Sequence, residues 1–214
     1  NEIPTGEKDP FGLRRNTIGV IRLIIEKKLP ININALIDTF LDKNDSARAS
    51  LTNFFYERLF NYLKDLGYSN DMVDALVSSK PERIHDILER LRAISEFKKL
   101  NESDTLSSAN KRVSNILKKA DKIIINPVDV NLLIENEEIM LHKVLLDLEL
   151  KINQCLVKND FVDALKNLVI LNTPINNFFE KVMVNTDDTK IKNNRYSLLF
   201  KLRQNLNCVT DISK

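Results

Sequence analysis

Apolar residues recur along this chain three and four positions apart, the spacing of one helix face, and no stretch alternates apolar with polar residues as a strand does. Leu141, Leu145, Leu148 and Ile152 follow this helical spacing over one long segment. Only four Gly and six Pro occur among 214 residues, which leaves little material for the turns of a many-stranded sheet. The sequence therefore predicts an all-α protein, a helical bundle made of two packed helical domains.

Capping residues and prolines predict where individual helices begin and end. Asp9 and Pro10 predict a first helix, with Asp9 as the cap and Pro10 at the first helical position. A long helix is expected at about 135–157 and a last one at about 188–207. Ser78 to Pro81 is the predicted domain boundary, so the expected domains are residues 1–79 and 80–214.

The net charge of +2 says little about partners, but the basic residues are segregated along the chain. One segment carries Lys111, Arg112, Lys118, Lys119 and Lys122 with a single acid, and residues 190–203 hold five bases and no acid. Local basic surfaces are therefore expected to matter more than the average charge.

The segment ANKRVSNILKK, residues 109–119, combines two opposite helix faces. The apolar face consists of Val113, Ile116, Leu117 and Ala120. The polar face consists of Lys111, Asn115, Lys118 and Lys122, flanked by Arg112 and Lys119. Lysine and arginine would bind phosphates, while the amide of Asn115 or Asn110 could contact a base edge. The alternative is a solvated face with no ligand.

Arg195 projects into the apolar stripe of the last helix, between Ile191 and Leu198, instead of away from it. We therefore expect a structural arginine that is partly buried and held by a carboxylate, Asp187 or Asp188. The aromatic residues Phe54, Phe55, Phe178 and Phe179 lie on apolar stripes, and we expect at least one member of each neighbouring pair to pack in the core instead of stacking on bases.

No set of residues predicts catalysis. The chain has no Gly-rich phosphate loop and no Ser, Cys and His set at usable spacing, so no catalytic residue is assigned. His85 and Asp86 could suggest a metal, but His142 is the only other histidine, and no metal site is expected. Cys155 and Cys208 are expected to be reduced packing residues. No apolar run is long enough to cross a bilayer, and a cytosolic compartment is expected.

Three segments of the chain carry a family resemblance. They are PTGEKDPFGLRR at residues 4–15, ANKRVSNILKK at 109–119, and FFEKVMV at 178–184 followed by Asn194 and Arg195. In this order they resemble three segments of the bacterial glycyl-tRNA synthetase β subunit family. The second half also resembles the DALR-type anticodon-binding domain, and the first half resembles helices that end or follow the β subunit's HD-like region.

The resemblance implies the C-terminal, non-catalytic part of a cytoplasmic bacterial aminoacyl-tRNA ligase of two α and two β chains. In that family the α subunit activates glycine with ATP and magnesium, and the β subunit supplies tRNA binding. This part would hold the anticodon arm of tRNA-Gly without a cofactor of its own, and without membrane or DNA as a partner. The resemblance favours an RNA role for five residues: Lys111, Arg112, Asn115, Lys118 and Lys119. The alternative is a helical scaffold that docks other synthetase subunits.

Overall fold

The computed structural model describes residue 9 and residues 11–41, 46–119 and 125–214. Within these residues the regular secondary structure is helical throughout and no strand is present, which confirms the all-α prediction. The chain divides into two compact units, Asn1–Leu91 and Arg92–Lys214. No helix among the described residues has the length and apolar content needed to cross a membrane.

The first unit is built from four helices and part of a fifth. They are α1 (Leu13–Glu26), α2 (Ile33–Asp38), α3 (Ser46–Asp65), α4 (Asn70–Val77) and the start of α5 (Ile87–Phe97). α3 packs against α1, α2 and α4. The core of this unit includes Ile21, Ile24, Leu59, Leu63 and Val73, all of them almost completely buried.

The first helix begins later than its sequence signals predict. α1 starts at Leu13 because Gly12 adopts a left-handed conformation with φ of 64°, which interrupts a right-handed helix. Asp9 nevertheless caps it: its carboxylate accepts hydrogen bonds from the backbone N–H of Leu13 at 2.8 Å and of Arg14 at 3.0 Å. The predicted cap is confirmed, whereas the predicted start of the helix is wrong because α1 begins at Leu13; Pro10 itself lies outside the described residues.

Residues beyond the predicted boundary still pack in the first unit. The Tyr56 hydroxyl donates a hydrogen bond to the carbonyl of Pro81 at 2.7 Å, and burial raises the pKa of this phenol to about 12. Ile84 is fully buried. The compact division therefore lies within α5, whereas the domain boundary at residues 78–81 stays a prediction.

The second unit contains the α-helices from α6 onward. They are α6 (Ser103–Lys118), α7 (Asn136–Val157), α8 (Phe161–Lys166), α9 (Asn172–Lys181) and α10 (Thr189–Leu206). α7 packs against α8, α9 and α10, and α10 packs also against α6. The bounds of α7 agree with the predicted 135–157, and its predicted stripe forms the core: Leu141, Leu145, Leu148 and Ile152 are buried.

Candidate nucleic-acid interface

Helix α6 carries the two faces that its sequence predicts. Leu106 and Val113 are fully buried on the inner face, where α6 packs against α10, whereas Ile116 and Leu117 are only half-buried. The five predicted site residues are all exposed: Lys111, Arg112, Asn115, Lys118 and Lys119. We call these five residues the α6 basic face. Ala120 and Lys122, predicted for the same helix, lie outside the described residues.

Four residues of the α6 basic face line one cleft of about 440 Å³. They are Lys111, Arg112, Asn115 and Lys119, and Ser108 and Ile116 complete its lining. Lys118 is exposed but does not line this cleft, and its position in the last turn suits the partial negative charge of a helix C-terminus. The structure thus brings four of the five predicted residues around one open space.

The cations of this face have no acidic partner among the residues that the structure describes. Elsewhere lysines do form such pairs: the exposed Lys28 lies 2.7 Å from Glu89, and the half-buried Lys201 lies 2.9 Å from Glu149. The positive charge of Lys111, Lys118 and Lys119 is therefore not offset by an ion pair within the described part of the chain. An unpaired cationic face next to a cleft attracts anions such as phosphate.

Arg112 makes an additional contact that the sequence did not reveal. Its guanidinium carbon lies 3.9 Å from the centroid of the Phe179 ring on α9, which is a cation–π contact. The fully buried Phe178 meets Phe179 edge-to-face, with centroids 5.4 Å apart and planes at 78°. As predicted, one member of this pair is buried in the core. The same holds for Phe55 beside the half-buried Phe54.

A second cleft, of about 290 Å³, lies between α6 and α9. Its lining residues are Thr105, Ser108, Ala109, Arg112, Ile175, Asn176, Phe179 and Glu180. Ser108 and Arg112 line both clefts, so the two spaces share an edge on α6. Sequence reasoning left Phe179 out of the site because the contact joins positions 67 residues apart on different helices, which no local pattern indicates.

Asn110 does not belong to the exposed face, which corrects its prediction as a possible base-contacting residue. It is fully buried, and its side-chain amide donates hydrogen bonds to the Asn207 side chain at 2.8 Å and to the Asp211 carboxylate at 3.2 Å. The amide therefore ties α6 to the C-terminal segment. Asn115 remains the amide on the exposed side of the helix.

Arg195 confirms the hypothesis of a buried, carboxylate-bound arginine, but its predicted partners are wrong. Its Nε donates to Glu138 Oε1 at 2.7 Å, its Nη2 donates to Glu138 Oε2 at 3.2 Å, and its Nη1 donates to the Met183 carbonyl at 2.7 Å. Only 6% of Arg195 and none of Glu138 is exposed. Asp188 instead caps α10 by accepting from the backbone N–H groups of residues 190 and 191.

The carboxylate of Glu138 also fixes the start of α7. Its Oε2 accepts hydrogen bonds from the backbone N–H of Ile134 at 3.0 Å and of Glu135 at 2.9 Å. Together with the two bonds from Arg195, these contacts compensate the loss of hydration of the buried charge. Arg195 is thus a structural link between α7, α10 and the Met183 carbonyl, and it is not available to RNA.

The other residues near Arg195 also serve the fold. Asn194 is buried, and its side-chain amide exchanges two hydrogen bonds with the backbone of Asp129, at 2.8 and 2.9 Å. Lys201 pairs with Glu149. Two of the five bases of residues 190–203, Arg195 and Lys201, are therefore held in ion pairs within the fold.

No metal centre is evident in the described ranges, where no group of three or more His, Cys, Asp and Glu side chains could hold an ion. Asp86, directly before α5, accepts a hydrogen bond from Arg90 of α5 at 2.9 Å, and its carboxylate thereby forms an ion pair with that arginine. Burial, and then the positive charge of Lys201, lower the pKa of His142. Both cysteines are free of disulfides, as predicted.

Comparisons with known proteins match both halves of the chain. Residues 1–78 match the family model described as glycyl-tRNA synthetase beta subunit, and residues 106–212 match the DALR anticodon binding domain. The glycine–tRNA ligase beta subunits of Janthinobacterium sp. (strain Marseille) and Dechloromonas aromatica are each 42% identical over the whole chain, and that of Ralstonia nicotianae is 42% identical over 99% of it. The chain spans 31% of the length of each of these relatives.

Proposed function

Because the chain belongs to the glycyl-tRNA synthetase β subunit family, with a DALR anticodon-binding domain over residues 106–212, we propose that it is the tRNA-binding C-terminal part of a bacterial glycine–tRNA ligase β subunit. It holds the anticodon arm of tRNA-Gly while the α subunit activates and transfers glycine. It contributes binding energy and no catalytic residue. The further parts of the proposal are an α2β2 assembly in the cytoplasm, and ATP and magnesium bound elsewhere in the enzyme.

The observation that carries this proposal is the α6 basic face. Its lysines are exposed, they lack acidic partners within the described residues, and two of them line the 440 Å³ cleft together with Asn115. Phosphate contacts from lysine and arginine supply position and most of the salt-dependent affinity, whereas an amide supplies paired donor and acceptor groups for a base edge. RNA loops expose unstacked bases that such an amide can reach.

The test measures tRNA-Gly affinity for the complete ligase across a salt series, with Lys111→Ala, Lys118→Ala and Lys119→Ala as single variants. Each lost phosphate contact should weaken binding and reduce the slope of log affinity against log salt by about 0.7 to 0.9. Lys151→Ala is the matched control, because Lys151 is an exposed lysine on α7, away from the α6 basic face. Unchanged affinity and slope in all three variants would contradict RNA binding at this face.

A second candidate function, the docking of other parts of the synthetase, is favoured by the outer face of α7. Ile139, Leu146, Leu150 and Val157 are all exposed, between 43% and 84%, and lie opposite the buried stripe of the same helix. At about 100° per residue these four positions fall within about 40° of one another. We propose that another segment of the longer β subunit covers this stripe, since the relatives extend well beyond the matched region.

Docking and RNA binding can be separated by a charge substitution on the apolar stripe of α7. Leu150→Glu should impair assembly or stability of the complete ligase and leave the salt slope of tRNA binding unchanged, because the stripe carries no cationic contact. Lys151→Ala again serves as the neighbouring control. Normal assembly of the Leu150→Glu enzyme would count against the docking function.

A further inference from the structure

The cleft between α6 and α9 contains both an aromatic ring and a guanidinium in contact. Phe179 is held in place because the buried Phe178 packs edge-on against it. Arg112 lies on Phe179 with 3.9 Å between the guanidinium carbon and the ring centroid. The guanidinium and the ring each present a flat π-surface, and such surfaces stack on unpaired nucleobases.

The polar groups at this cleft differ from those of a phosphate site. Glu180 is exposed and lines the 290 Å³ cleft, and its carboxylate would repel a phosphate there. Asn176 and Glu180 are four positions apart on α9, so both lie on the helix side that also presents Phe179. A carboxylate accepts hydrogen bonds and an amide both donates and accepts, which suits the edge of a base.

The size of the space limits the ligand to about one base. Sites for drug-sized molecules begin at roughly 300 Å³, and this cleft has about 290 Å³ and is partly open. The neighbouring cleft, which shares Ser108 and Arg112 with it, carries Lys111 and Lys119. A nucleotide could therefore place its base beside Phe179 and its phosphate beside these lysines.

From this geometry, and resting on the proposed tRNA-binding function, we propose that Arg112 and Phe179 stack one unpaired base of the bound RNA and that Glu180 selects a base with an exocyclic amino group. Cytosine, adenine and guanine carry such a donor for the carboxylate to accept. Uracil carries a carbonyl oxygen at the position of the exocyclic amino group of cytosine, so that oxygen faces the negative charge of Glu180 and cannot donate a hydrogen bond to it. Arg112 thereby becomes a base-stacking residue in addition to its charge.

The test compares the complete ligase with its Phe179→Leu, Phe179→Tyr and Glu180→Gln variants, using tRNA-Gly transcripts. Each base of the anticodon loop is replaced in turn by uridine, or by an abasic nucleotide where uridine is already present. Phe179→Leu should weaken binding on the order of 5- to 150-fold, the range for loss of one base stack. Phe179→Tyr keeps an aromatic ring and should retain near-normal affinity.

Specificity gives the second readout, which a merely structural role would not alter. The wild-type enzyme should lose affinity when one particular loop base is replaced, and Phe179→Leu should be indifferent to that same replacement. Glu180→Gln should reduce the difference in affinity between the tRNA with uridine at that position and the natural tRNA, because a glutamine amide can also donate a hydrogen bond to a carbonyl. Fluorescence of 2-aminopurine at this position should be quenched on binding by the wild-type enzyme and not by Phe179→Leu.

Two outcomes distinguish failure of this inference from failure of the proposed function. If Phe179→Leu and Glu180→Gln leave every position-specific loss unchanged while Lys111→Ala still lowers the salt slope, base stacking in this cleft is wrong and RNA binding by the α6 basic face stands. If none of these variants changes tRNA affinity, both are wrong. Glu180→Gln keeps the inference testable if Phe179→Leu lowers stability, since Glu180 is exposed.

Discussion

Arg112 and Arg195 lie in the same compact unit and play opposite parts. Arg195 is buried and shares two hydrogen bonds with the carboxylate of Glu138, whereas Arg112 is exposed and contacts only the face of Phe179 among the interactions described above. Both belong to basic stretches of the sequence. Contacts with residues of other helices, and not the local charge of the sequence, therefore decide whether an arginine supports the fold or is exposed to a ligand.

Removal of the buried arginine should have the largest effect on stability. Arg195→Met leaves the Glu138 charge buried without its partner, so the free energy of unfolding should fall by about 3 to 5 kcal/mol. Arg112→Met removes only an exposed cation–π contact and should cost under about 1 kcal/mol. Urea unfolding measures both.

A double substitution controls for shape at the buried pair. Arg195→Met combined with Glu138→Leu removes both charges and should be more stable than Arg195→Met alone, because no unpaired charge remains. The comparison is contradicted if Arg112→Met destabilises the protein as much as Arg195→Met does.

Two asparagines on α6 differ in the same way, since Asn110 is buried and Asn115 is exposed. Asn110→Ala removes buried hydrogen bonds to Asn207 and Asp211 and should lower the free energy of unfolding by about 1 to 3 kcal/mol. Asn115→Ala, on the exposed side, should change it by less than about 0.5 kcal/mol. Equal losses in urea unfolding would show that the two faces of α6 do not differ as described.

Arg112→Lys examines what the guanidinium adds beyond charge. The lysine keeps the positive charge, so the salt slope of tRNA-Gly binding should stay the same, while loss of the planar stack on Phe179 should cost about 0.5 to 1 kcal/mol of affinity at fixed salt. The measurement is a binding titration at two salt concentrations. An unchanged affinity would mean that Arg112 acts as a charge alone.

The smallest expected effect concerns His142, which is buried on α7 and faces the charge of Lys201. Its folded pKa is lowered from 6.5, so below about pH 6.5 the unfolded chain binds a proton that the folded chain does not. Stability present above that pH is therefore lost as the pH falls. His142→Asn should show a smaller drop in Tm between about pH 7.5 and 5.5; an equal drop would assign the effect to other groups.

Much of the fold was predictable because its signals are local. The stripe of Leu141, Leu145 and Leu148 and the bounds of α7 follow from spacing and capping within one segment. The start of α1 was misplaced because Gly12 turns left-handed between the cap Asp9 and the first helical residue. A sequence pattern shows that a capping residue is available, but it does not show the backbone conformation of Gly12, which lies between the cap and the helix.

The sequence allowed prediction only of those features of the site that depend on a single helix. Helical angles place Asn115 on the polar part of α6 and Asn110 about 140° away on the apolar side, but they do not give the partners of Asn110, which lie nearly a hundred residues later. The partner of Arg195 is 57 residues away on α7, whereas the carboxylates near Arg195 in the sequence are those of Asp187 and Asp188. Phe179 was missed for the same reason, since its contact with Arg112 joins two helices.

The outward stripe of α7 has a consequence for how this chain behaves in concentrated salt. Sulfate strengthens the attraction between apolar surfaces, whereas any added salt screens attraction between charges. Light scattering during an ammonium sulfate titration should therefore report self-association through Leu146, Leu150 and their neighbours at concentrations where RNA has already been released. The same reagent would thus strengthen association through the apolar face and weaken RNA binding to the basic face.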